Sequence, residues 1–237
     1  MIFKTRGIVF RAVKFRESSL IVKIYTEKFG MQSYIVNGVR SAKSKTKAAL
    51  LQLMSMLDME VYHHENRNIH RIKEMQSDYV YSSMLFDPLK SSVGLFMMEV
   101  LNKCIHEEEK NENMFNFICA KLQSLDQEKN VPPDFLLRFL VELSEQLGFY
   151  PHGEFSSATS YFDLQEGKFV EEFAVHPFII SPPVSESLSM LLKKNGKEIP
   201  AEARRKLLEA LLQYYQFHVP NFSSPKSLRV LNEVFHS

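Results

Sequence analysis

The sequence has 237 residues, of which 45% are apolar and 24% are charged, so it can bury the core of one large domain or of two small ones. Its formal net charge of +1 conceals two opposite parts: residues 1–80 carry 14 Lys and Arg against 7 Asp and Glu, whereas residues 81–237 carry 15 against 21. No apolar run approaches the roughly 20 residues of a membrane span, and the first residues lack the apolar stretch of a signal peptide, which predicts a cytoplasmic protein with no membrane partner.

The charge shift near residue 80 predicts two domains of different character. Residues 1–80 are basic and rich in strand-forming residues, and residues 81–237 are acidic and follow a helical period. A basic domain suits a polyanion, because each phosphate that it neutralises releases condensed counterions. We therefore expect a nucleic-acid-binding domain at 1–80, followed by a helical domain that has another role.

The basic domain contains five short stretches that read as strands. Turn-forming residues separate them, as in the segment 27–30 (EKFG). An open sheet of five short strands cannot bury both of its faces. Closure into a small barrel of the OB type encloses one face as a core and pairs the edge strands. The fold class is therefore α+β, with an OB-type barrel before a helical domain. The predicted strands are 7–15, 20–25, 31–39, 57–62 and 68–75.

The candidate nucleic-acid contacts are the cations of this domain and two of its rings. Four cations fall within the segment RSAKSKTK at 40–47, separated only by small residues that cannot pack a core. We expect a mobile loop that wraps a sugar-phosphate backbone, the alternative being a solvated loop that keeps the protein soluble. Lys23 and Tyr25 share one face of a strand, which suits a stacked base, although such rings also serve as barrel core. The candidate residues are Arg6, Arg11, Lys14, Arg16, Lys23, Tyr25, Tyr34, Arg40, Lys43, Lys45 and Lys47.

Apolar residues at helical spacing predict about six helices after residue 80. A hairpin insert at about 150–172, rich in Gly, Ser, Tyr and Phe, interrupts them. In the third helix Arg138 lies four residues before Glu142, so an intrahelical ion pair is the simple interpretation of this arginine. The predicted helices are 92–106, 115–125, 135–149, 184–194, 201–219 and 227–235.

No motif of a known catalytic or metal site is present. The sequence lacks a phosphate-binding glycine loop, an HExxH pair and a GxSxG turn, so we expect no enzymatic activity and no cofactor. Cys104 and Cys119 have no CxxC partner and are expected to be buried reduced thiols. His63, His64 and His70 can meet on neighbouring strands, but without an acidic partner they are more typical of surface residues than of a metal site.

Several segments, in order and at regular spacing, resemble the RecO family of bacterial recombination mediators. In the basic domain they are KTRGIVF (4–10), ESSLIV (17–22), TEKFG (26–30) and VNGVRS (36–41). In the helical domain they are RF (138–139), LGFYP (147–151), FDLQEGKF (162–169) and KSLRVL (226–231).

The resemblance implies a set of partners. Proteins of this family bind single-stranded and double-stranded DNA, anneal complementary strands and, with RecR, help to load RecA onto DNA coated by single-strand binding protein. It implies nucleoid association in a bacterial cytoplasm, and it places the family's DNA-binding loop on Arg40, Lys43, Lys45 and Lys47. Many relatives carry a four-cysteine zinc module between the LGFYP-like and FDLQEGKF-like segments, whereas this sequence has no cysteine there, so we expect no zinc.

The resemblance also implies a helical site for the acidic C-terminal tail of single-strand binding protein. Such a tail needs an apolar slot with a cation at its mouth, and Arg138 between Phe135 and Phe139 is the candidate. Two other functions remain open from the residues alone. One is a protein-interaction scaffold, which leaves the 40–47 segment without a role, and the other is an RNA-binding accessory factor, because charge and stacking do not distinguish RNA from DNA.

Overall fold

The computed structural model describes residues 1–39, 45–64, 66–106, 108–171, 176–193 and 198–235. Two compact units divide the chain, and they are Met1–Lys129 with Glu233–Ser237, and Asn130–Asn232. Among the described residues, no helix is both long enough and apolar enough to cross a membrane.

A closed barrel of five strands opens the first unit. Its strands are β1 (Ile2–Phe15), β2 (Ser19–Thr26), β3 (Gly30–Val36), β4 (Met56–Tyr62) and β5 (His70–Tyr79), with helix α1 (Lys45–Leu50) between β3 and β4. The strands follow the order β1-β2-β3-β5-β4 around the barrel, and every pairing is antiparallel except that of β3 with β5. The OB-type barrel that the strand count predicted is confirmed.

Alternating apolar residues fill the barrel. Val22 and Ile24 of β2, Tyr34 of β3 and Leu57 of β4 are fully buried in one interior cluster. Gly7 is required where β1 passes the facing strands, because a Cβ there would lie 2.6 Å from Ile24 Cγ2 and from Met59 Cε. Packing of these residues in the interior therefore determines which side chains of each strand face the outside of the barrel.

Two helices of the first unit follow the barrel, α2 (Pro88–Cys104) and α3 (Glu112–Gln127). The side chain of Asp87 accepts hydrogen bonds from the backbone N–H groups of Leu89 and Lys90, and that of Asn111 accepts one from Met114, so both helices begin at capped positions. Helix α3 packs on the outer surface of the barrel, where the Phe115 ring stacks on Tyr25 with centroids 6.3 Å apart.

The boundary expected near residue 80 lies inside this unit. Asp126 at the end of α3 accepts hydrogen bonds from the backbone N–H groups of Ser82, Ser83 and Met84 at 2.9, 2.9 and 2.7 Å. Buried Lys90 donates to the backbone oxygen of Asp126 at 2.9 Å. These bonds tie the segment after β5 to both helices, so the first compact unit extends beyond the barrel.

Four helices and a small sheet form most of the second unit. They are α4 (Phe135–Gln146), β6 (Tyr161–Asp163), β7 (Lys168–Val170), β8 (Ile179–Ile180), α5 (Val184–Leu192), α6 (Ala201–His218) and α7 (Ser227–Phe235), whose last residues belong to the first unit. The predicted hairpin insert is present as β6 and β7, and β8 adds a third strand from beyond its expected end.

Ring contacts hold the small sheet together. Phe162 packs against Phe169 and Tyr214 with centroids 5.1 and 5.9 Å apart, and Phe149 meets Tyr214 at 5.5 Å. Gly167 in the hairpin turn has a φ of +69°, and a Cβ there would lie 2.8 Å from the Tyr214 hydroxyl. Aromatic packing thus supports the segment in which many relatives are expected to carry zinc ligands.

Candidate nucleic-acid interface

Four of the predicted cations lie together on the hairpin of β1 and β2. Arg11, Lys14 and Arg16 are exposed and Lys23 is partly exposed, and Arg11 stands directly opposite Lys23 in the strand register. Within the described residues, none of the four forms an ion pair. Their charge is therefore available to a polyanionic ligand.

Arg6, in contrast, has a structural role that the sequence did not suggest. Its Nη2 donates to Glu27 Oε1 at 2.7 Å and to Asn116 Oδ1 at 3.3 Å, and its guanidinium lies 5.1 Å from the Phe115 ring centroid. The hydrogen bond to Glu27 raises the pKa of Arg6. Glu27 already neutralises the charge of Arg6 where α3 packs on the barrel, and the assignment of Arg6 to DNA stays a prediction.

Neither predicted ring is available for stacking on a base. Tyr25 shares the outer face of β2 with Lys23, as expected, but Phe115 and Phe10 cover it and leave it 2% exposed. Tyr34 points into the barrel, where it is 0% exposed, and burial raises its pKa. Both rings are core residues, which was the alternative interpretation, and their assignment to DNA is corrected.

The basic segment at 40–47 is described only in part. Arg40 and Lys43 lie outside the described residues, and helix α1 begins at Lys45, so the end of the segment is helical and not a loop. The exposed side chain of Lys47 lines a cleft of about 440 Å³ together with lysines and carboxylates of β1, β4 and β5. The charged residues of this cleft are Lys4, Lys47, Lys73, Asp58, Glu60 and Glu74.

A second cleft, which we call the Tyr62 cleft, has a different character. It has a volume of about 590 Å³ and lies at the ends of β3, β4 and β5. Tyr62 and Arg71 are directly opposite each other on β4 and β5, and both side chains are exposed. Neither residue is among the predicted contacts, although the alternation of β4 in the sequence already places Tyr62 on the face opposite Leu57 and Val61. The cleft is lined by Ile35, Tyr62, His64, Arg67, Ile69, His70 and Arg71.

Two of the three histidines, His63 and His70, form part of a ring stack. His63 stacks on Phe29 at 4.0 Å and on His70 at 4.3 Å, and the Nε2 atom of His70 is 2.9 Å from Gln32 Oε1. His70 is 3% exposed, so the surface position expected for it is wrong, and burial lowers its pKa. No group of three potential metal ligands occurs among the described residues.

Both cysteines are free thiols. Cys119 is buried and Cys104 is partly buried, and burial raises the pKa of each to about 12. Such thiols stay protonated near neutral pH and are poor nucleophiles. They are therefore packing residues.

The predicted partner site on α4 of the second unit, Arg138 with Phe135 and Phe139, differs in the structure from the expected apolar slot. Arg138 pairs with Asp134, with Nη2 to Oδ2 at 2.6 Å, so this ion pair joins the arginine to the residue just before the start of α4. The hydrogen bond to Asp134 raises the pKa of Arg138, and Glu142 adds to this. Phe135 and Phe139 are 8% and 0% exposed, which corrects their assignment as slot-lining residues.

The cleft beside Arg138 is small and partly acidic. Val141, Tyr150 and Leu191 give it apolar walls, and Glu142 and Glu145 also line it. Its volume of about 10 Å³ is close to the minimum for one water molecule. A partner side chain can enter only if this cleft widens.

Two family models together match nearly the whole chain. Recombination protein O N terminal matches residues 1–79, and Recombination protein O C terminal matches residues 85–229. The chain belongs to the RecO family. The N-terminal match covers the barrel with α1, and the C-terminal match spans α2 to α6 and the small sheet and ends within α7.

Bacterial RecO proteins are similar to this chain along their full length. DNA repair protein RecO of Flavobacterium psychrophilum is 36% identical over 245 residues, which cover 99% of this chain and 100% of the relative. DNA repair protein RecO of Bacteroides fragilis is 34% identical over 241 residues, with the same coverage of both chains. A solved structure of asparaginyl-tRNA synthetase from Entamoeba histolytica matches 68% of this chain and 35% of the synthetase at 13% identity. Its TM-score of 0.27 is too low to indicate a shared fold.

Proposed function

We propose that this RecO-family protein is a non-enzymatic, DNA-binding mediator of recombinational repair. It binds and anneals DNA and, with RecR, helps to load RecA onto DNA coated by single-strand binding protein. The observation that carries the proposal is the group of four cations on the β1–β2 hairpin, Arg11, Lys14, Arg16 and Lys23, which lack ion-pair partners among the described residues. The names of the bacterial relatives support it.

The cations supply binding to the sugar-phosphate backbone. Each contact with a phosphate releases condensed counterions, so affinity does not depend on base sequence and falls as salt rises. Neutralised strands repel each other less, so two complementary strands can approach and pair. Annealing forms base-pair hydrogen bonds but makes or breaks no covalent bond, which agrees with the absence of a catalytic motif.

A salt titration tests the hairpin cations. The triple variant Arg11→Ala, Lys14→Ala, Arg16→Ala should bind single-stranded DNA of any sequence more weakly, with the slope of log K against log salt flatter by about 2, at about 0.7 per lost contact. Lys129→Ala, Lys193→Ala, Arg205→Ala is the matched control, because it removes three exposed charges elsewhere. Equal slopes for the two triple variants would contradict the proposal.

Annealing and loading are tested with the same proteins. We expect the wild type and the control to accelerate pairing of complementary oligonucleotides, and the hairpin variant to do so less. With RecR present, the wild type should shorten the delay before RecA assembles on DNA coated by single-strand binding protein. Annealing without any effect on RecA would limit the function to strand pairing.

We further propose that the acidic tail of single-strand binding protein binds beside Arg138. The partly exposed guanidinium and the apolar walls of Val141 and Leu191 support this, whereas Glu142 at the same cleft opposes an acidic ligand. Calorimetry with a tail peptide should therefore show weaker binding to Arg138→Ala and stronger binding to Glu142→Gln. Unchanged binding by both variants would move the site to another part of the protein.

A further inference from the structure

Tyr62 and Arg71 lie on the outer face of the barrel, as the strand register shows. Their neighbours Val61 and His70 are buried, so Tyr62 and Arg71 point outward by alternation, and Tyr62 is 39% exposed. They are opposite each other on β4 and β5, where facing Cβ atoms are about 5 Å apart. A ring and a cation therefore project side by side from two adjacent strands.

The same outward row continues across the neighbouring strands. Arg71 stands opposite Ile35 of β3, Ile35 opposite Ile21 of β2, and Ile21 opposite Val13 of β1. Val13 is 45% exposed, and Ile21 and Ile35 are partly exposed. At about 4.8 Å per strand the row from Tyr62 to Val13 is on the order of 20 Å long. It joins the Tyr62 cleft to the hairpin that carries Arg11, Lys14 and Arg16.

Charge distinguishes this cleft from the cleft near Lys47. Arg67 and Arg71 line the Tyr62 cleft, and its described lining contains no carboxylate. The cleft near Lys47 places three carboxylates among its three lysines, and Glu60 is already paired with Lys73 at 2.7 Å. The Tyr62 cleft therefore combines an anion-attracting rim with an aromatic and aliphatic wall.

We propose that the Tyr62 cleft is a base-binding subsite for single-stranded DNA. An unstacked base lies against the Tyr62 ring and the Ile35 and Ile69 side chains, while Arg67 and Arg71 hold the adjoining phosphates. Bases in a duplex are stacked and paired, so their faces cannot reach this wall. The subsite rests on the proposed DNA-binding function and adds to it a preference for single strands over duplex.

Binding of labelled DNA to the full chain tests the subsite. The ligands are a single strand of about 15 thymidines, within the range of OB-fold site sizes, and a hairpin duplex of matched length. Tyr62→Ala should weaken single-strand binding by about tenfold, leave duplex binding unchanged and keep the salt slope, because stacking provides about 1–3 kcal/mol per base and involves no counterion. Tyr62→Phe should bind like the wild type.

Two further variants complete the design. Arg71→Ala should flatten the single-strand salt slope by about 0.7, as one lost phosphate contact requires. Phe86→Ala removes an 81% exposed ring outside the cleft and should have no effect. Equal loss of single-strand and duplex binding in Tyr62→Ala, or no loss at all, overturns the subsite while leaving the hairpin cations in place as the DNA contact.

A measurement on the wild type covers the case in which Tyr62→Ala does not fold. Irradiation of a bound oligonucleotide that carries 5-iodouracil should cross-link it to the peptide containing Tyr62. Adducts confined to other peptides overturn the subsite. Failure of the wild type to bind any DNA at low salt overturns the proposed function itself, which separates the two failures.

Discussion

Two buried polar groups of this protein, the Asp126 carboxylate and the Tyr34 hydroxyl, affect the stability of the fold in opposite directions. Asp126 is 2% exposed, and its carboxylate accepts three backbone N–H bonds and the hydroxyls of Ser82 and Tyr79 at 3.0 and 2.9 Å. The hydroxyl of Tyr34 is equally buried but has no hydrogen-bond partner among the described residues. The hydrogen-bonded Asp126 carboxylate therefore stabilises the fold, whereas the unpaired Tyr34 hydroxyl lowers the free energy of unfolding.

Asp126→Asn should lower the free energy of unfolding at pH 7 by about 3 kcal/mol, because an amide NH₂ then faces backbone N–H donors. Burial raises the pKa of Asp126, but the bonds from Ser82, Met84 and Ser83 outweigh it and hold that pKa well below its usual range. A lowered pKa means that the stabilisation is complete above the unfolded value of about 3.9 and is lost as pH falls below it.

Urea denaturation between pH 7 and pH 3 checks this prediction. The difference between the wild type and Asp126→Asn should be constant near neutral pH and shrink in acid. Asp78→Asn on the exposed end of β5 is the control and should change stability by less than about 0.5 kcal/mol. A loss in the control as large as that in Asp126→Asn would rule out a special role for this carboxylate.

Tyr34→Phe should leave the free energy of unfolding unchanged or raise it by up to about 1 kcal/mol, because it removes a buried hydroxyl that lacks a partner. Tyr215→Phe is the matched comparison, since the Tyr215 hydroxyl is also buried but donates to the Leu140 backbone oxygen at 2.6 Å. It should cost about 1 kcal/mol. Thermal denaturation of both variants gives the comparison, and a clear loss in Tyr34→Phe would contradict it.

At the scale of elements, local pattern predicted the strands and helices well but not what covers them. The alternation of β2 placed Lys23 and Tyr25 on one face, and in the structure this face is the outer one. Only the packing of Phe10 and Phe115 against Tyr25 makes the ring inaccessible. Arg6 likewise meets Glu27 and Asn116, which are 21 and 110 residues away in sequence.

The hairpin of β6 and β7 depends on a turn that only glycine fits. Gly167→Ala should cost about 2–3 kcal/mol, since the new Cβ meets both a φ of +69° and the Tyr214 hydroxyl at 2.8 Å. Gly148 has a φ of +84°, but no atom lies within 4 Å of the Cβ that alanine would add. Gly148→Ala should therefore lower the free energy of unfolding by about 1 kcal/mol through backbone strain alone. Chemical denaturation of both variants tests the difference, and equal losses would show that the Tyr214 side chain moves aside freely.

At the scale of the whole molecule, aromatic contacts support the small sheet beside the segment in which many relatives are expected to hold zinc. Phe149, Phe162, Phe169 and Tyr214 support the small sheet through ring contacts 5.1 to 5.9 Å apart. No trio of potential metal ligands occurs in the described part of the chain.

We expect purified protein to contain well under one zinc per chain, and a chelator to leave the melting temperature unchanged. Elemental analysis and thermal denaturation with and without the chelator check both points, and re-addition of zinc to chelated protein is the control. A stoichiometric metal, or a melting temperature that falls with the chelator and recovers with zinc, would contradict this.

The sequence by itself determined the OB-type barrel, the helices after residue 80, the excess of cations in the first 80 residues and the cysteine-free insert, because these follow from composition and from periods of 2 and 3.6 residues. The tertiary structure alone decided that Arg6 is neutralised, that Tyr25 and Tyr34 are core, and that Tyr62 and Arg71 share an exposed cleft. These outcomes depend on contacts between residues far apart in sequence. Local pattern fixes the face on which a side chain lies, but only the folded chain fixes what lies against that face.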